Sequence, residues 1–114
     1  MKLVGLCGSL TKNSKTLLAV KKAVNDAKQF DSSIESENIH LHNYKLDFCD
    51  GRDPSDYEGD THTVIEKIVE ADAYIIGTPV YRESLTGALK NVFDLIPNDS
   101  FRGKVIGFIA SGGS

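Results

Sequence analysis

Gly77-Thr78-Pro79-Val80-Tyr81-Arg82-Glu83-Ser84-Leu85-Thr86-Gly87-Ala88-Leu89-Lys90-Asn91-Val92-Phe93-Asp94 follows the apolar run Ala73-Tyr74-Ile75-Ile76. That run, continued to Thr78, reads as a buried strand. Behind it the period changes: Leu85, Ala88, Leu89, Val92, Phe93 and Ile96 recur at helical spacing, and Pro97 stops the pattern. Between strand and helix, Pro79 fixes its own φ and pushes Thr78 toward an extended conformation, so the connection is stiff. A strand that opens through a Gly/Pro/Ser loop into an amphipathic helix is one step of a βα repeat.

The rest of the chain repeats this step. Lys2 to Cys7 is a short apolar run ending in Gly8-Ser9, a first buried strand. From Ser14 the pattern is helical, with Leu17, Val20, Val24 and Ala27 on one stripe, Ala23 and Phe30 beside it, and Lys21, Lys22 and Lys28 on the outer face. Residues 33–41 form a weaker second strand, polar enough for a sheet edge. Residues 42–60 read as a long polar loop punctuated by Gly51, Pro54 and Gly59. Thr61 to Ala71 is a second helix with the stripe Val64, Ile65, Ile68, Val69. Lys104 to Ala110 is a fourth strand, followed by Ser111-Gly112-Gly113-Ser114. The order βαβαβαβ predicts an α/β fold, an open parallel sheet with helices on both faces, in a single domain over 1–114. The Gly/Ser-rich segments fall at the carboxyl ends of strands 1, 3 and 4, where open α/β sheets bind ligands.

Composition narrows the class. The 114 residues are 40% apolar and 25% charged, ordinary for one globular domain. No apolar run approaches the ~20 residues of a membrane span, and the N-terminus is too short and too soon interrupted for a signal peptide. A cytoplasmic protein with no membrane partner is expected. Cys7 and Cys49 show neither C-x-x-C nor Cys/His ligand spacing, so two reduced thiols and no metal are expected. Acidic neighbours disfavour a thiolate at Cys49. His40, His42 and His62 read as solvated residues, and Lys90 with Asp94 as an i, i+4 surface pair. Residues 1–30 carry six Lys against one Asp, whereas residues 31–60 carry nine acids against two bases. The basic segment suits a phosphate. Without arginines and interleaved aromatics it does not suit nucleic acid.

Three loops carry candidate chemistry. In the first, Gly8 to Thr16, free backbone N–H groups at a helix start are joined by the hydroxyls of Ser9, Thr11, Ser14 and Thr16, the amide of Asn13, and Lys12 or Lys15. A phosphate dianion needs such convergent donors. The spacing is not that of a Walker loop, and the plain alternative is a Ser/Thr-capped helix. In the second, Thr78 to Ser84, the stiff backbone and the ring of Tyr81 offer an edge and a face to a planar ligand, or Tyr81 packs at a subunit contact. In the third, the small residues at 111–114 let backbone approach a ring closely.

The 77–94 stretch resembles the G-T-P-x-Y…S-x-x-G-x-L-K-N-x-x-D signature of the NADPH-dependent FMN reductases, a flavodoxin-like family, and the resemblance runs through almost the whole chain. The first loop is similar to the family's G-S-x-R-x-x-S pattern, with Thr11 where an Arg often stands. The resemblance implies strand order 2-1-3-4, FMN as cofactor, and NADPH or NADH as co-substrate. It places the flavin across Ser9, Thr11, Asn13, Ser14, Lys15, Thr16, Pro79, Val80, Tyr81, Ser84, Ser111, Gly112 and Gly113. No side chain is then needed as a general base, because the cofactor carries the redox chemistry. Val80-Tyr81, Gly87-Ala88-Leu89-Lys90, Asp94-Leu95-Ile96-Pro97 and Gly103-Lys104-Val105 look most like the alkanesulfonate-type reductases. That group implies reduced flavin handed to a partner monooxygenase, and related members reduce azo dyes, quinones or chromate.

The family continues past strand 4 for one more helix and strand, so the resemblance implies a C-terminally short chain. Strand 4 is then an apolar edge of Val105, Ile106, Phe108 and Ile109. Truncation, a partner chain or an unusual oligomer would each account for it. A homodimer or tetramer is expected, with the second and third helices as the family-type interface. The leading expectation is an NAD(P)H-dependent FMN reductase. The alternatives are a non-catalytic flavodoxin-like FMN module, either electron carrier or remnant, and a phosphate-binding regulatory domain without flavin.

Overall fold

The apolar run at 73 becomes β3, Ala73–Val80, in a computed structural model that describes residues 1–9, 14–80, 87–97 and 99–112. It lies between β1 (Lys2–Cys7) and β4 (Val105–Gly112), with β2 (Glu35–His40) outside β1. All three pairings are parallel, and the order β2-β1-β3-β4 is the predicted one. The helices are α1 (Lys15–Phe30), α2 (Gly59–Glu70) and α3 (Gly87–Leu95). The winding direction reverses between β1 and β3, so right-handed crossovers send α1 to one face and α2 and α3 to the other.

The two faces have separate cores. Val4, Leu6, Ile39, Tyr74 and Ile76 pack against Val64 and Ile68 of α2 and Leu89 and Val92 of α3. Leu3, Ile34 and Ala73 pack against Val20 and Val24 of α1. On the α1 face two glycines set the helix–sheet distance. A methyl group at Gly5 would come within 2.8 Å of both Val20 and Val24, and one at Gly77 would overlap Val20. The helix therefore lies directly on the strand backbone, at interior packing density.

Local chemistry explains the element ends. Ser14 caps α1, its Oγ accepting the N–H of Leu17 at 3.3 Å. The α1 stripe stops short of Phe30, which is 94% exposed rather than packed beside it. A 16-residue helix rises about 24 Å and a six-residue strand spans about 20 Å, so the last turn overruns the sheet. The last carbonyls of α2 are taken by β3 and by the residue before β4: the Tyr74 hydroxyl donates to Ile68, and Lys104 Nζ donates to Val69 at 2.7 Å. Val69, placed on the α2 stripe by periodicity, lies at its exposed margin. Leu95 joins the buried side of α3, while Phe93 is only half-buried.

The loop between β2 and α2 is not a free polar span. It contains short 3-10 turns at Leu41–Asn43 and Pro54–Asp56 and buries Leu41 and Tyr57. The amides of Lys45 and Asp47 donate to Asp60 and Thr61 side chains, both at 2.8 Å. At the other edge, Val105 and Phe108 of β4 are 74% and 62% exposed, as expected for an unpaired apolar edge.

Candidate functional site

β3 and β4 each run two residues beyond their predicted ends. Pro79 therefore lies in a strand rather than in a loop, paired with Ser111, and Val80 pairs with Gly112. The physical reason is that β1 leaves the sheet after its Cys7–Gly77 pairing, so the end of β3 has a single neighbour. A residue without an N–H is tolerated where one side of a strand is unpaired. Four of the residues named for the flavin ring thus stand side by side in one parallel ladder.

The first loop leaves β1 against this ladder. The Gly8 N–H donates to the Gly77 carbonyl at 2.8 Å. A methyl at Gly8 would sit 3.1 Å from Leu89 Cβ and 3.4 Å from the Gly77 oxygen, so the chain at position 8 lies close on β3 and α3 and a side chain there would press on Leu89. Ser9, Ser14 and Thr16 are buried, and Lys15 is exposed. Thr16 turns its methyl carbon toward Gly77, 3.0 Å from where a Cβ would stand, which gives it a packing contact. The first helical hydrogen bond runs from Leu18 N–H to Ser14 O, and Ser14 Oγ caps Leu17, so the amides of Lys15 and Thr16 have no acceptor inside the helix. These amides and the positive helix end suit an anion.

Thr11, Asn13, Tyr81, Ser84 and Gly113 lie outside the described residues. Sequence reasoning did not single out Thr78, whose buried hydroxyl donates to the Pro79 carbonyl at 3.0 Å, nor the paired roles of Gly8 and Gly77. The available signal was a glycine at the same end of two adjacent strands. Cys7 is buried beside Ser9 and Ser14. Burial pushes its thiol pKa up, against hydrogen bonds from the Ser9 backbone and the Ser14 side chain.

The expectation of solvated histidines holds for two of the three. His42 is exposed, and the half-exposed His62 sits 3.1 Å from Glu66. His40 is only 6% exposed. It pairs with Cys7 across the sheet, on the face that α1 covers, and its ring lies 5.4 Å from that of His42. A polar strand end read by itself gives no sign that a neighbouring helix will roof it. Among the described residues no cluster of three His, Cys, Asp or Glu could hold a metal, and no helix is long and apolar enough to cross a membrane.

The donor set fits a phosphorylated planar cofactor such as FMN. Helix-start amides and Ser14 lie at the carboxyl end of β1, and the β3–β4 backbone ladder ends at Val80 and Gly112. Relatives carry the same architecture. The profile of the NADPH-dependent FMN reductase family matches residues 1–114. An NAD(P)H-dependent FAD/FMN reductase of Geobacillus thermodenitrificans is 45% identical over 114 residues, all of this chain and 61% of that protein. An NAD(P)H:quinone oxidoreductase of Solanum tuberosum is 29% identical over 115 residues, covering 99% of this chain and 59% of that protein. The crystal structure of an apo NADH:FMN oxidoreductase superposes with a TM-score of 0.80 at 27% identity, over 99% of this chain and 59% of the other. The chain therefore spans about three fifths of the length of these relatives. With the predicted strand order, the glycine-seated first loop and a family match from the first residue to the last, this chain belongs to the NADPH-dependent FMN reductase family.

Proposed function

We propose that residues 1–114 form one flavodoxin-like domain of an NAD(P)H-dependent FMN reductase, binding FMN at the carboxyl ends of β1, β3 and β4. The observation that carries this reading is the β3–β4 register, which sets Pro79 beside Ser111 and Val80 beside Gly112, next to the Gly8–Gly77 hydrogen bond. When bound, FMN supplies the redox chemistry, taking hydride from NADPH or NADH and passing electrons to free flavin, a quinone or an azo acceptor. The chain's own residues bind and orient. The amides of Lys15 and Thr16, with Ser9 and Ser14, take the phosphate, joined by Thr11 and Asn13 of the same loop. The backbone of Pro79, Val80, Ser111 and Gly112 would hold the ring, and the family resemblance assigns Tyr81, Ser84 and Gly113 to it as well. Backbone N–H groups there, which Pro79 lacks, would stabilise negative charge developing on the ring.

The reading extends to partners. The exposed α2 margin at Val69 supports a homodimer or tetramer. A monooxygenase that consumes reduced flavin is the matching downstream partner. A monodisperse monomer by light scattering at micromolar concentration would sink the oligomer.

The test of function is an FMN titration followed by flavin fluorescence, with saturating NADPH or NADH added. Quenching with steady nicotinamide oxidation supports the reductase. Quenching without turnover replaces it with a flavin carrier. No quenching at high FMN overturns the flavin site.

A further inference from the structure

β1 ends on Cys7, whose side chain falls on the α1 side of the sheet. Strand alternation places it there. Leu3 packs with Val20 and Val24 of α1, and a methyl at Gly5 would meet the same two valines, so the next residue of that series shares their face. Gly77 of β3 and His40 of β2 flank Cys7 in register. The residue is fully buried, yet it belongs to neither of the two apolar cores.

Its contacts are polar instead. The sulfur accepts hydrogen bonds from the Ser9 backbone N–H and the Ser14 hydroxyl. One atom thus joins the two ends of the stretch 9–14, which carries Thr11 and Asn13. Gly8, between them in the chain, is held separately by its 2.8 Å bond to the Gly77 carbonyl. Ser14 is held twice: its Oγ accepts the Leu17 N–H at 3.3 Å, and its one hydrogen goes to Cys7. The cap is therefore fixed beside the amides of Lys15 and Thr16, which have no acceptor inside the helix. Without the sulfur, a buried N–H and a buried O–H would lose this acceptor, and the loop ends would have to move to find others. A thiolate here would repel a phosphate. Burial pushes the thiol pKa up and keeps it neutral, so the position offers an acceptor without an opposing charge.

We propose that Cys7 is a positioning residue for the flavin phosphate: its sulfur ties Ser9 to Ser14, and this sets the helix-start amides for phosphorylated over unphosphorylated flavin. The inference rests on the flavin-site reading above and adds a residue that acts through Ser9 and Ser14. Its contribution is preorganisation, since the loop ends are fixed before the ligand arrives.

The test is the ratio of the riboflavin and FMN dissociation constants, measured by flavin fluorescence on the native chain and its variants. The two ligands share ring and ribityl chain, so the ratio isolates the phosphate. Cys7→Ala is expected to lower it about fivefold or more. Cys7→Ser restores an acceptor and should keep the ratio within about twofold of the native value. Val24→Ala loosens the α1 face away from the loop; it should lower the urea midpoint and leave the ratio within about twofold. A ratio unmoved by Cys7→Ala overturns the proposal. So does an equal fall in Cys7→Ser or in Val24→Ala, which would assign the effect to side-chain size or to general loosening. The native chain gives a second reading that needs no variant. Exchange of the Ser9 amide hydrogen should be slow without ligand and be slowed no more than about twofold by FMN. Fast exchange that only FMN suppresses would show the ligand, not Cys7, ordering the loop. Equal binding of riboflavin and FMN by the native chain would overturn the phosphate site and this inference while leaving the ring site. Failure to bind FMN at all would overturn the flavin reading as a whole.

Discussion

Asn91 brackets the segment around Cys49 from the middle of α3. Its Oδ1 accepts the Cys49 N–H at 2.8 Å, and its Nδ2 donates to the Asp47 carbonyl at 2.9 Å. The Cys49 thiol adds a contact to the Asp94 carbonyl at 3.3 Å. One side chain thereby imitates the two-bond pairing of a strand neighbour and ties the acidic loop to the helix that follows β3. Asn91→Ala leaves one amide and one carbonyl without these partners. It is expected to cost about 1–2 kcal/mol in denaturant unfolding and to speed hydrogen exchange at Cys49. Unchanged exchange there would show that the bracket does not hold the loop.

Gly77 seats α1 on the sheet. Gly77→Ala places a methyl against Val20 Cγ2 and the Thr16 methyl, and overpacking of this kind costs about 1–3 kcal/mol. The expected readouts are a lower urea midpoint and, on the proposed flavin site, weaker FMN binding, because the displaced first turn of α1 carries the amides proposed for the phosphate. In a Val20→Ala background the same change should cost about 1 kcal/mol less, since the clash partner is gone. Full additivity would place the strain elsewhere.

The two thiols should separate by reactivity. Cys7 is fully buried, with its pKa raised by burial, whereas Cys49 is exposed. A neutral thiol reagent applied to the native chain near pH 7.5 is expected to modify Cys49 rapidly and Cys7 only after unfolding. Prompt modification of both, read by intact mass, would mean that Cys7 is not shielded in the native chain.

Asp50 gives the acidic loop a pH dependence. Side-chain hydrogen bonds from the Arg52 guanidinium, first among several donors, hold the Asp50 carboxyl well below the usual carboxylate range. The Arg52 amide and the Tyr57 hydroxyl, both at 3.2 Å, add to this. The folded-state pKa lies below the unfolded value of about 3.9. The contribution to stability is therefore complete above that value and is lost as pH falls through the lower folded-state pKa. Carbon-detected NMR should find the Asp50 side chain still ionised near pH 3, and Arg52→Ala should return its midpoint toward about 3.9. A native midpoint already at that value would remove Arg52 as the cause.

Much of the architecture was legible from one-dimensional pattern. A change from strand to helical period at residue 78, repeated along the chain, with right-handed crossovers leaves few sheet orders, and 2-1-3-4 is the one found. Ser14 as a helix cap and Lys90–Asp94 as a surface pair were readable because both depend on residues within one turn of each other. Phe30, Val69 and His40 were not, because whether a helix or strand end is covered depends on how far its neighbour extends.

The sequence by itself determined the βα repeat, the family and the loops in which donors gather, since these follow from periodicity and from neighbours close in the chain. Only the tertiary structure decided that Pro79 and Val80 pair with Ser111 and Gly112 and that Gly8 meets Gly77. It likewise placed Asn91 on a loop more than 40 residues away. Each of these joins residues distant in the chain through strand register or helix docking. Both are set by which side chains fill the space between layers, a quantity that no local stretch of sequence carries.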